Sequence, residues 1–209
     1  GIRKMASFHA DKGIHAWTDE PHLYCNKKFL KGFEELAKAN LSFDAWVYST
    51  QISDVAHLAK TFPETPIVLD HLGTPAGIFG KVGKATGQTA QQRDYIFQTW
   101  KEDLAELAKC PNVYSKISGL FMPVLGHRFH LERKLAKKDE LIQLAAPLIQ
   151  HALQCFAKDR IMFASNFPMD RVSTDLVTII DAFSDIVQSY DEHAVKPVFY
   201  ENAKRFYRL

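Results

Sequence analysis

Several features that would place this 209-residue sequence in a special class are missing from it. No stretch approaches the roughly 18 consecutive apolar residues of a membrane-spanning helix, so we expect no membrane partner. The net charge is only +2 and no basic run stands out, which argues against nucleic acid as a partner. The three cysteines form no CxxC pair and no signal peptide is apparent, so we expect reduced thiols and a cytoplasmic protein.

The glycine-rich motifs that bind nucleotide phosphates are also missing. The segment 73–92 holds five of the ten glycines, but Gly83-Lys84 is followed by Ala85. Ile78 stands where a Walker motif needs its first glycine, and no GxGxxG occurs. We therefore expect this segment to be a lid or a rim of a ligand site rather than a phosphate-binding loop.

What the sequence does contain is a regular alternation of strand-like and helix-like segments. Apolar segments predict five strands, at 1–5, 42–49, 67–71, 112–119 and 159–166. Apolar residues at helical spacing predict helices at 27–40, 54–62, 92–109, 140–156, 174–190 and 194–206. Strands separated by helices indicate βα units and a parallel sheet. A closed barrel usually needs about 250 residues, so we predict an α/β fold, a (β/α)8 TIM-like barrel that is distorted and incomplete at its N-terminus.

Polar side chains stand where three of the predicted strands end. His71 follows the apolar run 67–69, Lys116 and Ser118 share one face of the fourth strand, and Asn166 closes the fifth. Because ligands bind at the carboxyl ends of parallel strands, we expect these side chains to converge on one site. Taken singly, each has a structural alternative: a histidine of this kind is more often a core residue, and Lys116 either binds an anionic substrate or extends past the strand end.

Two more residues complete the candidate set. Arg3, at the end of the first strand, faces the same alternatives as Lys116, and its planar donor group suits a carboxylate. Trp17, in the polar stretch 9–26, is a further candidate for substrate binding.

The ordered set of short motifs resembles the amidohydrolase-2 group of the amidohydrolase superfamily, metal-dependent hydrolases with a TIM-barrel fold. Within it, the sequence is similar to the lactonase-like branch that contains 2-pyrone-4,6-dicarboxylate lactonase and sugar-lactone hydrolases. The matching stretches run in order through the whole chain: Gly1-Ile-Arg3, Asp19-Glu-Pro21, Phe43-Asp44, Val68-Leu-Asp-His-Leu-Gly73 with Pro75, Lys116-Ile-Ser-Gly119, Arg160-Ile-Met-Phe-Ala-Ser-Asn-Phe-Pro168 and Asn202-Ala-Lys-Arg-Phe-Tyr207.

This resemblance implies a single amidohydrolase-like barrel domain over 1–209, about the C-terminal two-thirds of the family fold, with its site at the carboxyl rim. His71 matches a family histidine that binds a divalent metal in some members and polarises the substrate carbonyl in others. Arg3 and Lys116 fall where related lactonases hold polar groups of the substrate. The family's first-strand His-x-His pair is absent, because the chain begins at about the third strand.

The family motif Ser-Asp-Trp-Pro reads Ser165-Asn166-Phe167-Pro168 here. An amide cannot take a proton from an attacking water as a carboxylate can, so we expect Asn166 to orient a water or a carbonyl. Asp170 or Asp70 would then have to act as the base. We favour Asp170, because Asp70 alternates with His71 and is expected to point the other way.

We therefore predict a hydrolase that opens a lactone, or a similar ester or amide bond, of a small carboxylated or sugar-derived substrate by water attack. Only His71 is available as a metal ligand, so the cofactor is either a divalent metal such as zinc or none. The alternatives are a decarboxylase of the same superfamily and a degenerate or truncated barrel with a binding or scaffold role. The partner is expected to be a small molecule, and a second copy or an upstream segment is expected to cover the open barrel edge.

Overall fold

The computed structural model describes residues 1–132 and 134–209, and five short strands within these ranges form one parallel sheet. The strands are β1 (Ile2–Met5), β2 (Phe43–Trp46), β3 (Ile67–Leu69), β4 (Val113–Ile117) and β5 (Ile161–Phe163). They are hydrogen-bonded in sequence order, β1-β2-β3-β4-β5. This is the order of successive βα units in a TIM-like barrel, so the predicted strands and fold class are confirmed.

Helices connect the strands and cover the sheet. They are α1 (Lys27–Lys38), α2 (Ile52–Thr61), α3 (Ala90–Ala108), the short α4 (Phe129–Glu132), α5 (Lys138–Phe156), α6 (Leu176–Tyr190) and α7 (Asn202–Tyr207). Side-chain caps fix several starts: Asn26 accepts from the backbone of α1, Thr89 from α3 and Asp175 from α6. The helix predicted over 194–206 is present, but a π-helical turn at Pro197–Glu201 lies within it and directly precedes α7.

The two faces of the sheet differ in composition. One face packs its apolar side chains under the helices in the main core, which also buries Trp100 completely. The strand register places Arg3 beside Asp44, and Lys116 beside Met162, on the other face. At one end of that face, Val68 and Met162 pack with Phe206 of α7. Arg3, Asp44 and Lys116 therefore share the face next to the C-terminal helix, whereas Lys4 alternates with Arg3 and lies on the other face.

The glycine-rich segment 73–92 is packed against neighbouring loops. Gly77 N–H donates to the carbonyl of Val124 (3.0 Å), and Phe79 N–H donates to that of Leu125 (2.8 Å). The segment thus forms part of the rim at the carboxyl ends of the strands. No helix in residues 1–132 and 134–209 has the length and apolar character needed to cross a bilayer.

Candidate active site

A cavity of about 520 Å³ opens at the carboxyl ends of the strands. Its size is that of sites for small ligands. Its wall combines aromatic, thioether and polar side chains: Arg3, Lys4, Met5, Trp17, Trp46, His71, Met122, Asn166 and Met169. Four of the predicted site residues, Arg3, Trp17, His71 and Asn166, therefore lie on one cavity.

His71 is held on this wall from both sides of its ring. Nδ1 lies 2.7 Å from Oγ of Ser118, and Nε2 lies 3.3 Å from Nη2 of Arg3. Because a guanidinium only donates, Nε2 must accept, and Nδ1–H must donate to Ser118. Burial, together with the charges of Arg3 and Lys116, lowers the pKa of His71 to about 3. The imidazole is therefore neutral at physiological pH, with its Nε2 lone pair directed toward Arg3.

The backbone at His71 is in the left-handed region, with φ of +56°. Leu72 and Thr74 share this conformation, which costs about 1 kcal/mol or more per non-glycine residue. Trp100 donates its indole N–H to the Leu72 carbonyl at 2.8 Å and so braces the turn. Gly119 makes room for the ring, because a Cβ there would lie 2.7 Å from Nδ1 of His71.

Beneath the cavity, the polar face of the sheet carries a network of ion pairs. Lys116 Nζ contacts Oδ2 of Asp44 at 2.6 Å and Oδ1 of Asp70 at 3.0 Å. Nε of Arg3 lies 3.0 Å from Oδ2 of Asp70, without the alignment of a hydrogen bond. Tyr207 donates its hydroxyl to Oδ2 of Asp44 at 2.8 Å, so α7 contributes to the network.

Burial alone would lower the pKa of Lys116, but Asp70 and Asp44 outweigh it and raise that pKa. Lys116 is thus a fully charged ammonium held by two carboxylates. Lys116 was expected at the site, but it does not line the cavity. It contacts Asp70, which in turn contacts Arg3 on the cavity wall.

Asp70 corrects a further expectation. It was predicted to point away from the side occupied by His71, as alternate residues of a strand do. In the structure β3 ends at Leu69, Asp70 continues on the face of Val68, and left-handed backbone at His71 and Leu72 turns the histidine to the same side. Asp70 and His71 therefore both contact Arg3. Alternation fails here because it holds only while the backbone stays extended.

Asn166 and Asp170 form a pair at the end of β5. Nδ2 of Asn166 donates to Oδ1 of Asp170 at 2.7 Å. Asn166 lines the cavity, whereas Asp170 is 1% exposed and is not part of the wall. Burial raises the pKa of Asp170 to about 7, although hydrogen bonds from Asn166 and the Phe121 backbone oppose the shift. Asp170 lies behind Asn166, so it is better placed to orient the Asn166 amide than to contact the attacking water.

The described residues do not by themselves fit a divalent-metal site. Within 1–132 and 134–209, no three His, Cys, Asp or Glu side chains are grouped closely enough to hold a metal. His71 is the expected ligand, but its Nε2 faces the Arg3 guanidinium, which would repel a metal cation.

A parallel α/β sheet of consecutive βα units, with polar side chains gathered at the carboxyl ends of its strands, defines a barrel-type enzyme scaffold. The amidohydrolase family model matches residues 4–209. The chain belongs to the amidohydrolase family, as the motifs indicated.

Two curated proteins are similar to this chain in sequence. An uncharacterized protein of Sinorhizobium fredii is 31% identical over 209 residues, which are 100% of this chain and 61% of that protein. An L-fucono-1,5-lactonase of Burkholderia ambifaria is 25% identical over 173 residues, covering 83% of this chain and 47% of the lactonase. The chain thus spans only about half to three-fifths of the length of these relatives.

Solved structures show the fold. An amidohydrolase of Burkholderia multivorans, crystallised with zinc, superposes with a TM-score of 0.78 at 22% identity, over 100% of this chain and 64% of that one. A putative 2-pyrone-4,6-dicarboxylic acid hydrolase of Pseudomonas putida superposes with a TM-score of 0.66 at 15% identity, over 100% of this chain and 63% of that one. The expected lactonase-like neighbours are therefore confirmed.

Proposed function

We propose that this chain is the larger part of a hydrolase that opens a lactone, or a similar ester or amide bond, of a small carboxylated or sugar-derived substrate. The observation that carries the proposal is the cavity in which a guanidinium, an imidazole and a carboxamide meet beside tryptophan side chains. The likeness to an L-fucono-1,5-lactonase favours a lactone over other esters.

Arg3 is proposed to bind the negative charge of the substrate. Its side chain is 46% exposed, while Asp70 anchors Nε from behind. Guanidinium N–H groups on the cavity side can therefore pair with a substrate carboxylate or with the oxyanion that forms on water attack. Lys116 keeps Asp70 in place through the 3.0 Å ion pair and acts as a positioning residue.

Trp17 and Trp46 are proposed to contact the apolar face of the substrate ring. Trp17 is 46% exposed, and the two indole rings lie 5.6 Å apart at an angle of 47°. Trp46 is fixed by a hydrogen bond of 2.9 Å from its indole N–H to Thr74. An exposed aromatic face beside an anchored one suits a small sugar-derived ring.

The proton of the attacking water is proposed to pass to Nε2 of His71 once a substrate anion draws Nη2 of Arg3 away, because Nε2 accepts from Nη2 at 3.3 Å in the free protein. Arg3 contributes to the low pKa of His71. A substrate anion that pairs with Arg3 would offset that positive charge and raise the pKa, so the base gains strength only in the complex. Asn166, held by Asp170, would orient the water through its free carbonyl oxygen.

The test is hydrolysis of a panel of sugar lactones and dicarboxylate lactones by the full-length protein, comparing His71→Gln with the unmodified enzyme. Loss of a general base lowers kcat by about 10²- to 10⁴-fold. His57→Gln, an exposed position on α2, is the matched control and should leave kcat unchanged. If no lactone is turned over, or if both variants behave alike, the hydrolase proposal fails and the binding or scaffold alternative stands.

A further inference from the structure

A second cavity, of about 380 Å³, lies beside the catalytic one. Its walls come from the loops 13–15 and 81–83 and from the segment 123–131. Neighbouring residues separate the two cavities. Met122 and Trp17 line the first cavity, and Pro123 and His15, which lie next to them, line the second. The rings of His15 and Trp17 are in edge contact, with centroids 4.8 Å apart.

The lining of this second cavity is basic. Among the described residues that line it are three imidazoles, one ammonium and one guanidinium, and no carboxylate: His15, His127, His130, Lys81 and Arg128. Asp11 lies against Gly83 at its margin. The Asp11 carboxylate is ionised but lies outside the lining, where it accepts from backbone N–H groups of Gly13, Lys84 and Ala85 at 2.7–3.0 Å. The cavity therefore favours a negatively charged ligand.

His127 is the least expected of these residues. His127 is only 6% exposed, and its ring lies near the backbone carbonyls of Phe121 and Met122 without forming an aligned hydrogen bond to any described residue. Nδ1 of His130 is buried and unpartnered in the same way, and the two rings lie 5.9 Å apart. An unsatisfied buried donor or acceptor costs about 1–3 kcal/mol. A ligand that accepts hydrogen bonds from these imidazoles would remove that cost.

The loops that form the cavity are held together before any ligand binds. The segment around Gly80 packs directly on Gly126, where a Cβ would lie 2.2 Å from the Gly80 carbonyl oxygen. The backbone bonds from Gly77 and Phe79 join the same two loops. A preformed cavity of this kind loses little conformational entropy on binding.

We propose that this second cavity binds the oxyanion group of a small ligand, either a phosphate or a carboxylate, between His127 and Arg128. The imidazole would donate from the buried side, and the exposed guanidinium would donate from the solvent side. This site does not depend on the proposed hydrolysis, because it shares no lining residue with the catalytic cavity.

The experiment is isothermal titration of the full-length protein with inorganic phosphate and, separately, with acetate. We expect saturable binding of at least one of these anions; the anion that binds more tightly identifies the group the cavity selects. Arg128→Ser should weaken binding about tenfold, as expected for one charge-assisted hydrogen bond. Lys84→Ser, an exposed lysine of the neighbouring loop outside the lining, is the control and should have no effect.

His127→Gln keeps a donor at the buried position and should weaken binding less than Arg128→Ser does. Three results would overturn the proposal. The first is that neither anion binds saturably, and the second is that Lys84→Ser weakens anion binding as much as Arg128→Ser does. The third is that Arg3→Ser weakens anion binding whereas Arg128→Ser does not. The last result would place the anion in the catalytic cavity.

Discussion

Burial of Asp170 makes a specific prediction about stability. Its pKa is raised from 3.8 to about 7, so between these values the folded protein binds more protons than the unfolded chain. The free energy of unfolding must then fall as pH rises, by about 1.4 kcal/mol per pH unit. Over the interval from pH 4 to pH 7, the loss sums to at most about 4 kcal/mol.

Asp170→Asn removes this ionisation and keeps the shape of the side chain. An asparagine Oδ1 can still accept from Nδ2 of Asn166, as Asp170 does at 2.7 Å. We expect the variant to match the unmodified protein near pH 4 and to become progressively more stable above it, by up to about 4 kcal/mol at pH 8. Urea denaturation of both proteins at pH 4, 5, 6, 7 and 8 measures the difference directly.

A stability difference that is independent of pH, or that grows toward acid, would refute this reasoning. The same variant separates the two roles of Asp170. If Asp170 only holds Asn166, Asp170→Asn should keep its turnover within a few fold at pH 8, and Asp170→Ala should lose more. If Asp170→Asn loses about 10²- to 10⁴-fold while remaining folded, Asp170 is the base.

Three further substitutions test the support of the site. Gly119→Ala places a methyl group 2.7 Å from Nδ1 of His71 at φ +62°. We expect the free energy of unfolding to fall by about 1–2 kcal/mol from the backbone alone, and kcat/KM to fall because the His71 ring is displaced. Unchanged kinetics would contradict the packing. Lys116→Met leaves the buried Asp70 carboxylate without its ammonium partner, and denaturation should show that the free energy of unfolding falls by about 3–5 kcal/mol. A fall of less than about 1 kcal/mol would mean that Arg3 alone compensates the charge of Asp70. Trp100→Phe should cost about 1–3 kcal/mol in the same assay, because the turn loses its 2.8 Å hydrogen bond, and an unaltered midpoint would show that the turn is held otherwise.

The strands were predictable because their signal is local. Short apolar runs such as 67–69 and 161–163 are bounded by polar or turn residues, and a fully buried strand of a parallel sheet needs only that pattern. The amphipathic helices were predictable for the same reason. The exception, 194–206, is a helix interrupted by a π-helical turn at Pro197–Glu201, which the apolar spacing does not reveal.

The site was predictable only in part. The sequence places His71 and Asn166 at the carboxyl ends of two strands, and both residues line the cavity. The placement of Asp70 and His71 on the same side could not be predicted, because His71 reaches that side only through the left-handed backbone at residues 71 and 72. The ion pairs between Lys116 and two aspartates also escaped prediction, since residues 46 and 72 positions apart become neighbours only when three strands align.

The basic cavity gave no signal in the sequence beyond scattered histidines and the glycines of 73–92. Its lining comes from three loops that are distant along the chain, and its unpartnered imidazoles are recognised only by their surroundings.

The sequence by itself determined the alternation of strands and helices, and with it the parallel sheet and the edge at which polar residues collect, because apolar periodicity acts over a few residues. Only the tertiary structure decided which charges are paired, which nitrogen of His71 accepts a hydrogen bond and which carboxyl has its pKa raised to about 7. These properties depend on burial and on distances of a few ångströms between residues far apart in the chain, and folding alone sets both.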